Sequence, residues 1–218
     1  MPVFLLDESL KFPPPDLADP DGLLAIGGDL SVPRLLSAYR QGIFPWYSQQ
    51  DPILWWCPDP RLVLYPGELH VSRRLKRTIR QERFTVTFNE AFDQVIRQCA
   101  SIRRDRGEDT WITEDMIQAY TVMFEQGWCR SAEAWLEGRL VGGLYGVKIG
   151  RVFFGESMFS AARDASKVAF VSMVERLKAR GTMLIDCQVP TGHLAAFGAR
   201  LIPRMRFLGE VEKWTAEA

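Results

Sequence analysis

The stretch SAEAWLEGRLVGGLYGVKIGRVFFGESM (131–158) decides the fold. Its apolar residues crowd into short runs rich in β-branched and aromatic side chains, which is strand character. Glu137-Gly138 and Ile149-Gly150 interrupt it as turn dipeptides. The pieces 131–136, 140–147 and 152–158 therefore read as an antiparallel meander. Downstream, 165–179 has helical spacing and is stopped by Gly181. An apolar strand over 183–189, a short helix over 193–197 and a final strand over 201–207 complete that half. Upstream, three helices are expected. One spans 70–81. A second, 89–100, carries Phe92, Val95, Ile96 and Cys99 on one stripe. The third, 113–126, has Thr113 as N-cap and acids in its first turn. Strands flanked by helices make the chain α+β.

The N-terminal part differs in composition. Residues 1–60 contain prolines at 2, 13–15, 20, 33, 45, 52, 58 and 60, with turn signals at Asp21-Gly22 and Gly27-Gly28. One helix fits there, with Ser31 as N-cap, Pro33 in the first turn, Leu35, Leu36 and Tyr39 as the apolar face, and Gly42 as the stop. Aromatic, irregular chain surrounds it. The expected organisation is a small N-terminal domain over 1–60 and a larger one over 61–218.

Length and composition set outer limits. The chain has 218 residues, 47% hydrophobic and 25% charged, which suits a globular protein with a sizeable core. Lys+Arg and Asp+Glu are each 27, so any nucleic-acid contact must come from a local patch. No apolar run reaches the ~18–20 residues of a membrane helix. The N-terminus carries acid and proline where a secretion signal needs a basic end and an apolar run. A cytoplasmic location without membrane attachment is expected. Cys57, Cys99, Cys129 and Cys187 are scattered and only two histidines are present, so free thiols and no metal site are expected.

Four groups of residues could carry chemistry. In LIDCQV (184–189), Asp186 and Gln188 would share a face if the strand ran on, with Cys187 opposite. They are either a solvated strand end or a functional pair. Glu156 lies in an aromatic strand, where alternation groups it with Phe154 and Met158. A carboxylate there is a strand-edge residue or an acid with a perturbed pKa able to hold an amine. Third, Arg73, Arg74, Lys76, Arg77, Arg80 and Arg83 make a basic helix, which Arg103, Arg104 and Arg106 could extend; it is a solvated face or a phosphate-binding one. Fourth, Trp46, Trp55, Trp56, Trp111 and Tyr120 are core or base-stacking aromatics, and Trp46 stands out by its loop setting. GxSxG, Walker and GxGxxG motifs are absent from the sequence.

Taken in order, GLLAIGGDLS (22–31), RLLSAYRQGIFPWYS (34–48), DPILWWCPDPR (51–61), TWITEDMIQAY (110–120), LVGGLYGV (140–147), FFGESMFS (153–160), ASK (165–167) and LIDCQV resemble the leucyl/phenylalanyl-tRNA–protein transferases. The resemblance covers almost the whole chain. It implies a small N-terminal domain on a C-terminal domain like the acyl-CoA N-acyltransferases (GNAT-like). It also implies an aminoacyltransferase that moves Leu or Phe, less readily Met, from aminoacyl-tRNA to the N-terminal amine of proteins starting with Arg or Lys, creating an N-degron. The segment SAARDASK (160–167) lacks the glycines of a pyrophosphate loop, which argues against acetyl-CoA as donor. An aminoacyl ester is already activated, so neither cofactor nor metal is called for. By resemblance, Asp186 and Gln188 are the catalytic pair, Asp186 polarising Gln188, and Glu156 holds an amino group. Trp46 and Trp111 meet the 3′-terminal adenosine, with Tyr120 also at the substrate. Phe153, Met158, Phe170 and Ile185 form the donor side-chain pocket; since alternation puts Phe153 on the face opposite Glu156, this implies a bulge near Gly155 or another register. Arg73, Lys76, Arg77 and Arg80 meet tRNA phosphates. Thr191 departs from the pattern, since some members carry asparagine there. A monomer is expected.

Overall fold

A computed structural model describes residues 3–104 and 110–216. The N-terminal part contributes β1 (Phe4–Leu6), β2 (Leu23–Gly27), α1 (Val32–Arg40), β3 (Phe44–Pro45) and β4 (Leu54–Trp56). These strands form a four-stranded sheet in the order β1-β2-β4-β3, which the proline-rich sequence does not announce. Ser31 stands at the N-cap of α1 with no side-chain capping bond, and Pro33 lies in its first turn, where a missing N–H is harmless.

The rest runs β5 (Arg61–Leu64), α2 (Arg73–Arg80), β6 (Thr85–Phe88), α3 (Phe92–Arg104), α4 (Glu114–Glu125), β7 (Cys129–Leu136), β8 (Arg139–Ile149), β9 (Val152–Ser160), α5 (Ala165–Ala179), β10 (Leu184–Asp186), α6 (Gly192–Ala195), β11 (Arg200–Ile202) and α7 (Arg204–Ala216). Its strands form a seven-stranded sheet ordered β11-β5-β10-β9-β8-β7-β6. The expected meander is β7-β8-β9, antiparallel throughout. Glu137 and Gly138 both have positive φ in its first turn, the conformation that matches the twist of a two-residue hairpin. Ser72 and Thr113 cap α2 and α4 by accepting from Leu75 N–H and Met116 N–H. The α+β architecture, with meander, α5 and then a parallel β10, follows the GNAT-like expectation.

Two expected strands are shorter than the sequence suggested. The strand over 183–189 stops at Asp186, and the one over 201–207 stops at Ile202. In the second case Pro203 ends the strand. Asp59 Oδ1 accepts Arg204 N–H at 2.9 Å, and the chain turns into α7. That helix buries Phe207, Val211 and Thr215, a spacing of four that outweighs the β-like start. No helix among the described residues is long and apolar enough to cross a membrane. The four cysteines are free and buried.

The core has two parts. One joins Tyr39 and Trp55 of the N-terminal part to Val95, Tyr120, Phe154 and Phe207. The other lies under α5 and contains Leu62, Phe153, Phe170, Val174 and Ile185. The cavity described next lies where the sheet between them opens.

Candidate active site

β10 pairs with β9 only as far as Asp186 opposite Phe154. Beyond that point β5 keeps hold of the chain: Cys187 N–H donates to Leu62 O at 2.9 Å, and Leu62 N–H donates to Gln188 O at 3.1 Å. β9 continues to Ser160 without a partner on that side among the described residues. The sheet therefore splits, and the split holds a cavity of about 570 Å³. Residues from both faces line it. Phe153, Met158, Phe170 and Ile185 supply an apolar side, Trp46 and Trp111 supply large rings, and Glu156, Asp186 and Gln188 supply polar groups.

A bulge in β9 explains this grouping. Tyr145 pairs with Ser157 and Gly146 with Gly155, so Glu156 is the extra residue. The bulge reverses the alternation. Phe153 and Met158 both pack with the α5-side core, while Phe154 and Phe159 belong to the other. The expected grouping of Met158 with Glu156 is thus wrong, and a uniform period of two could not reveal it. Gly146 is required opposite the bulge, because a Cβ there would strike the Phe154 carbonyl and the Phe153 ring.

Glu156 is buried and densely bonded. Tyr39 Oη donates to its Oε1 at 2.8 Å, Tyr120 Oη reaches Oε2 at 3.3 Å, and Gln188 Nε2 donates to Oε1 at 3.2 Å. The two tyrosine hydroxyls also bond each other. Burial raises the Glu156 pKa to about 8; the Tyr39 hydrogen bond opposes the rise and the nearby Asp186 charge adds to it. Burial, with the Glu156 charge, also lifts both tyrosines well above their ordinary value.

This has a consequence for stability. Between its unfolded value of 4.5 and its folded value of about 8, Glu156 is ionised in the unfolded chain and protonated in the native one. Unfolding then releases a proton, so native stability falls as pH rises through that window and levels off above it. Glu156→Gln cannot titrate. Its urea midpoint relative to wild type should climb across the same window; curves that stay parallel would contradict the raised pKa.

Asp186 does something other than what its spacing from Gln188 suggested. Gln188 has φ 60, left-handed, so it no longer alternates on a strand. Asp186 Oδ1 accepts the backbone N–H of Gln188 at 2.9 Å and does not touch its side chain in any bond described. Its main partner is Arg61, whose Nε and Nη2 donate to the two carboxylate oxygens at 2.8 and 2.7 Å. Both side chains are buried. The Arg61 guanidinium lies over the rings of Phe44 and Phe207, at 4.6 and 4.5 Å. Asp186 is thus an anchor for the backbone of Gln188, while Glu156 holds its amide.

Sequence reasoning passed over Arg61 and Tyr39. Arg61 had served only to mark a boundary, and Tyr39 only as apolar helix surface. A fully buried arginine needs a paired acid, but that burial shows only in the fold. Tyr120 does not line the cavity; it is fully buried behind Glu156. Trp46 is 43% exposed, Trp111 half-buried, and Thr191 caps α6 by accepting Leu194 N–H. Arg73, Lys76, Arg77 and Arg80 are all exposed on α2. Arg103 and Arg104 close α3, and Arg106 lies outside the described residues.

Residues 63–212 match the family model described as leucyl/phenylalanyl-tRNA protein transferase, and 28–59 match the model of that family's N-terminal domain. The chain belongs to this family. A leucyl/phenylalanyl-tRNA–protein transferase of Syntrophobacter fumaroxidans is 60% identical over 208 residues, covering 95% of this chain and 89% of the relative. One from Solidesulfovibrio magneticus is 56% identical over 212 residues, covering 97% and 86%. Among solved structures, the crystal structure of FemX aligns with a TM-score of 0.51 at 10% identity, over 83% of this chain and 71% of that one. The FemX likeness concerns fold alone. As a member of the leucyl/phenylalanyl-tRNA–protein transferases, the chain is an aminoacyltransferase acting between aminoacyl-tRNA and protein.

Proposed function

We propose that the enzyme joins leucine or phenylalanine, and less readily methionine, to the N-terminal amine of proteins that begin with Arg or Lys, so marking them for degradation. It acts as a monomer in the cytoplasm. Residues 1–60 form a small domain that lends Trp46 and Tyr39 to a site otherwise built from 61–218. The observation carrying this reading is the Glu156–Gln188 hydrogen bond beside an apolar cavity. An uncharged slot walled by Phe153, Met158, Phe170 and Ile185 suits an unbranched-at-Cβ side chain and disfavours Val and Ile. Trp46 and Trp111 offer ring faces to the terminal adenine.

The chemistry needs alignment more than activation. The acceptor amine nitrogen bonds to the ester carbonyl carbon, the bond to the ribose oxygen breaks, and the amine proton finishes on that oxygen. Gln188 donates its amide N–H to Glu156, which leaves its carbonyl oxygen to accept an N–H of the attacking amine. The Glu156 contact polarises that amide. Asp186 contributes by fixing the backbone of Gln188. Glu156, partly open to the cavity, is the acid for an amino group. Tyr120 acts through Glu156.

Arg73, Lys76, Arg77 and Arg80 bind tRNA phosphates without reading sequence. Affinity for tRNA should fall steeply with salt, and Arg77→Ala should reduce the log–log salt slope by about 1. A slope unchanged in Arg77→Ala would remove α2 from the interface. The activity itself is tested by incubating leucyl-tRNA with an Arg-initiated peptide, with acetyl-CoA in a parallel reaction. A gain of one leucyl mass supports the reading; an acetyl gain, or none, refutes it.

A further inference from the structure

A second hollow adjoins the cavity. It is small, about 160 Å³, and His70, Ser72, Arg74, Asp164, Lys167 and His193 contribute its polar lining. His193 lines both spaces. Arg74 sits in the first turn of α2 and Lys167 in the first turn of α5. Asp164 ties the two cations together, at 3.2 Å to Arg74 and 3.5 Å to Lys167. With the histidines neutral, two cations face one carboxylate, which leaves one net positive charge. Each cation keeps donors to spare, since a guanidinium has several N–H groups and an ammonium three. His193 Nε2 is buried with no hydrogen-bond partner among the described residues, its ring edge-on to Phe197. A buried imidazole nitrogen without a partner is costly unless something completes it.

We propose that this hollow is a phosphate subsite that takes the phosphodiester immediately 5′ of the terminal aminoacyl nucleoside. The proposal rests on the aminoacyl-tRNA reading above and extends it beyond α2, from Arg74 to Lys167 of α5 and to His193. His193 lies between the two spaces, and Arg74 joins the smaller one to the helix that carries the remaining cations of α2. One phosphodiester carries one negative charge, which balances the net charge of the hollow. Its oxygens accept from Arg74, Lys167 and, as the Nε2–H tautomer, His193.

The test compares two donors with an Arg-initiated peptide as acceptor: leucyl-adenosine, which has no phosphate, and the leucyl dinucleotide CpA, which has one. In the wild type the dinucleotide should have a donor KM lower by roughly tenfold, the range of a hydrogen bond to a charged group. In Arg74→Ala and in Lys167→Ala that ratio should approach one, and Lys167→Arg should restore it. Both side chains are solvent-exposed, at 61% and 41%, so these variants are expected to fold. A wild-type ratio of one overturns the subsite. So does a ratio that survives both alanine variants, or an equal loss with both donors. Absence of transfer from full leucyl-tRNA by the wild type would instead defeat the reading on which the subsite rests.

Discussion

Asp186→Ala should destabilise the fold by about 3–5 kcal/mol, because it leaves Arg61 buried and without its anion. The guanidinium is buried: Arg61 is 0% exposed and lies between Phe44 and Phe207. Removal of the carboxylate also frees the Gln188 N–H from Oδ1. Replacing both partners with apolar residues of similar volume, Arg61→Met with Asp186→Leu, should recover most of that stability, since no charge remains to be paired. It should not recover transfer, because Gln188 still lacks its anchor. Urea denaturation and initial rates on both proteins separate the two roles. A single variant as stable as wild type would mean the pair is not buried as described. A double variant with wild-type turnover would mean Asp186 serves only the fold.

Gln188→Gly is expected to leave the protein folded and lower kcat by ~10²–10⁴, the range associated with losing a positioned proton acceptor. The position has φ 60, where a non-glycine residue pays about 1–2 kcal/mol. Glycine relieves that backbone cost while deleting the amide that bonds Glu156. Thermal stability should therefore hold or rise as turnover collapses. The KM for leucyl-tRNA should change far less, since the apolar walls and tryptophans are untouched. A variant with full kcat would show that the Gln188 side chain takes no part in the reaction.

These two residues mark how far the sequence could be read. Asp186 and Gln188 were singled out, yet on the premise of an unbroken strand. β10 ends at Asp186, and the left-handed turn at Gln188 sends the two side chains to different partners. The strand end has no local signature, because it arises where β9 and β10 part; the bulge at Glu156 has one sign, the glycine at 155 inside an apolar strand. Phe153 and Met158 were placed in one pocket only through the family resemblance; the bulge supplies the physical reason. The meander, by contrast, was legible from turn dipeptides between apolar runs, and α4 from Thr113; the Ser72 cap of α2 emerges only in the fold. The N-terminal sheet was not, since strands such as β1 and β4 have three residues each and offer no period to detect. Tyr39 occupies the apolar stripe of α1 like any core residue. Its hydroxyl gains meaning only from Glu156, 117 positions away.

The most direct measurement is a crystal structure of the enzyme with a non-hydrolysable aminoacyl-adenosine analogue and an Arg-initiated peptide. The account predicts the leucyl side chain against Phe153, Met158, Phe170 and Ile185, the adenine on Trp46 or Trp111, and the peptide's free amine within hydrogen-bond distance of the Gln188 carbonyl oxygen. An analogue bound elsewhere, or an amine whose nearest protein group is not Gln188, would contradict it.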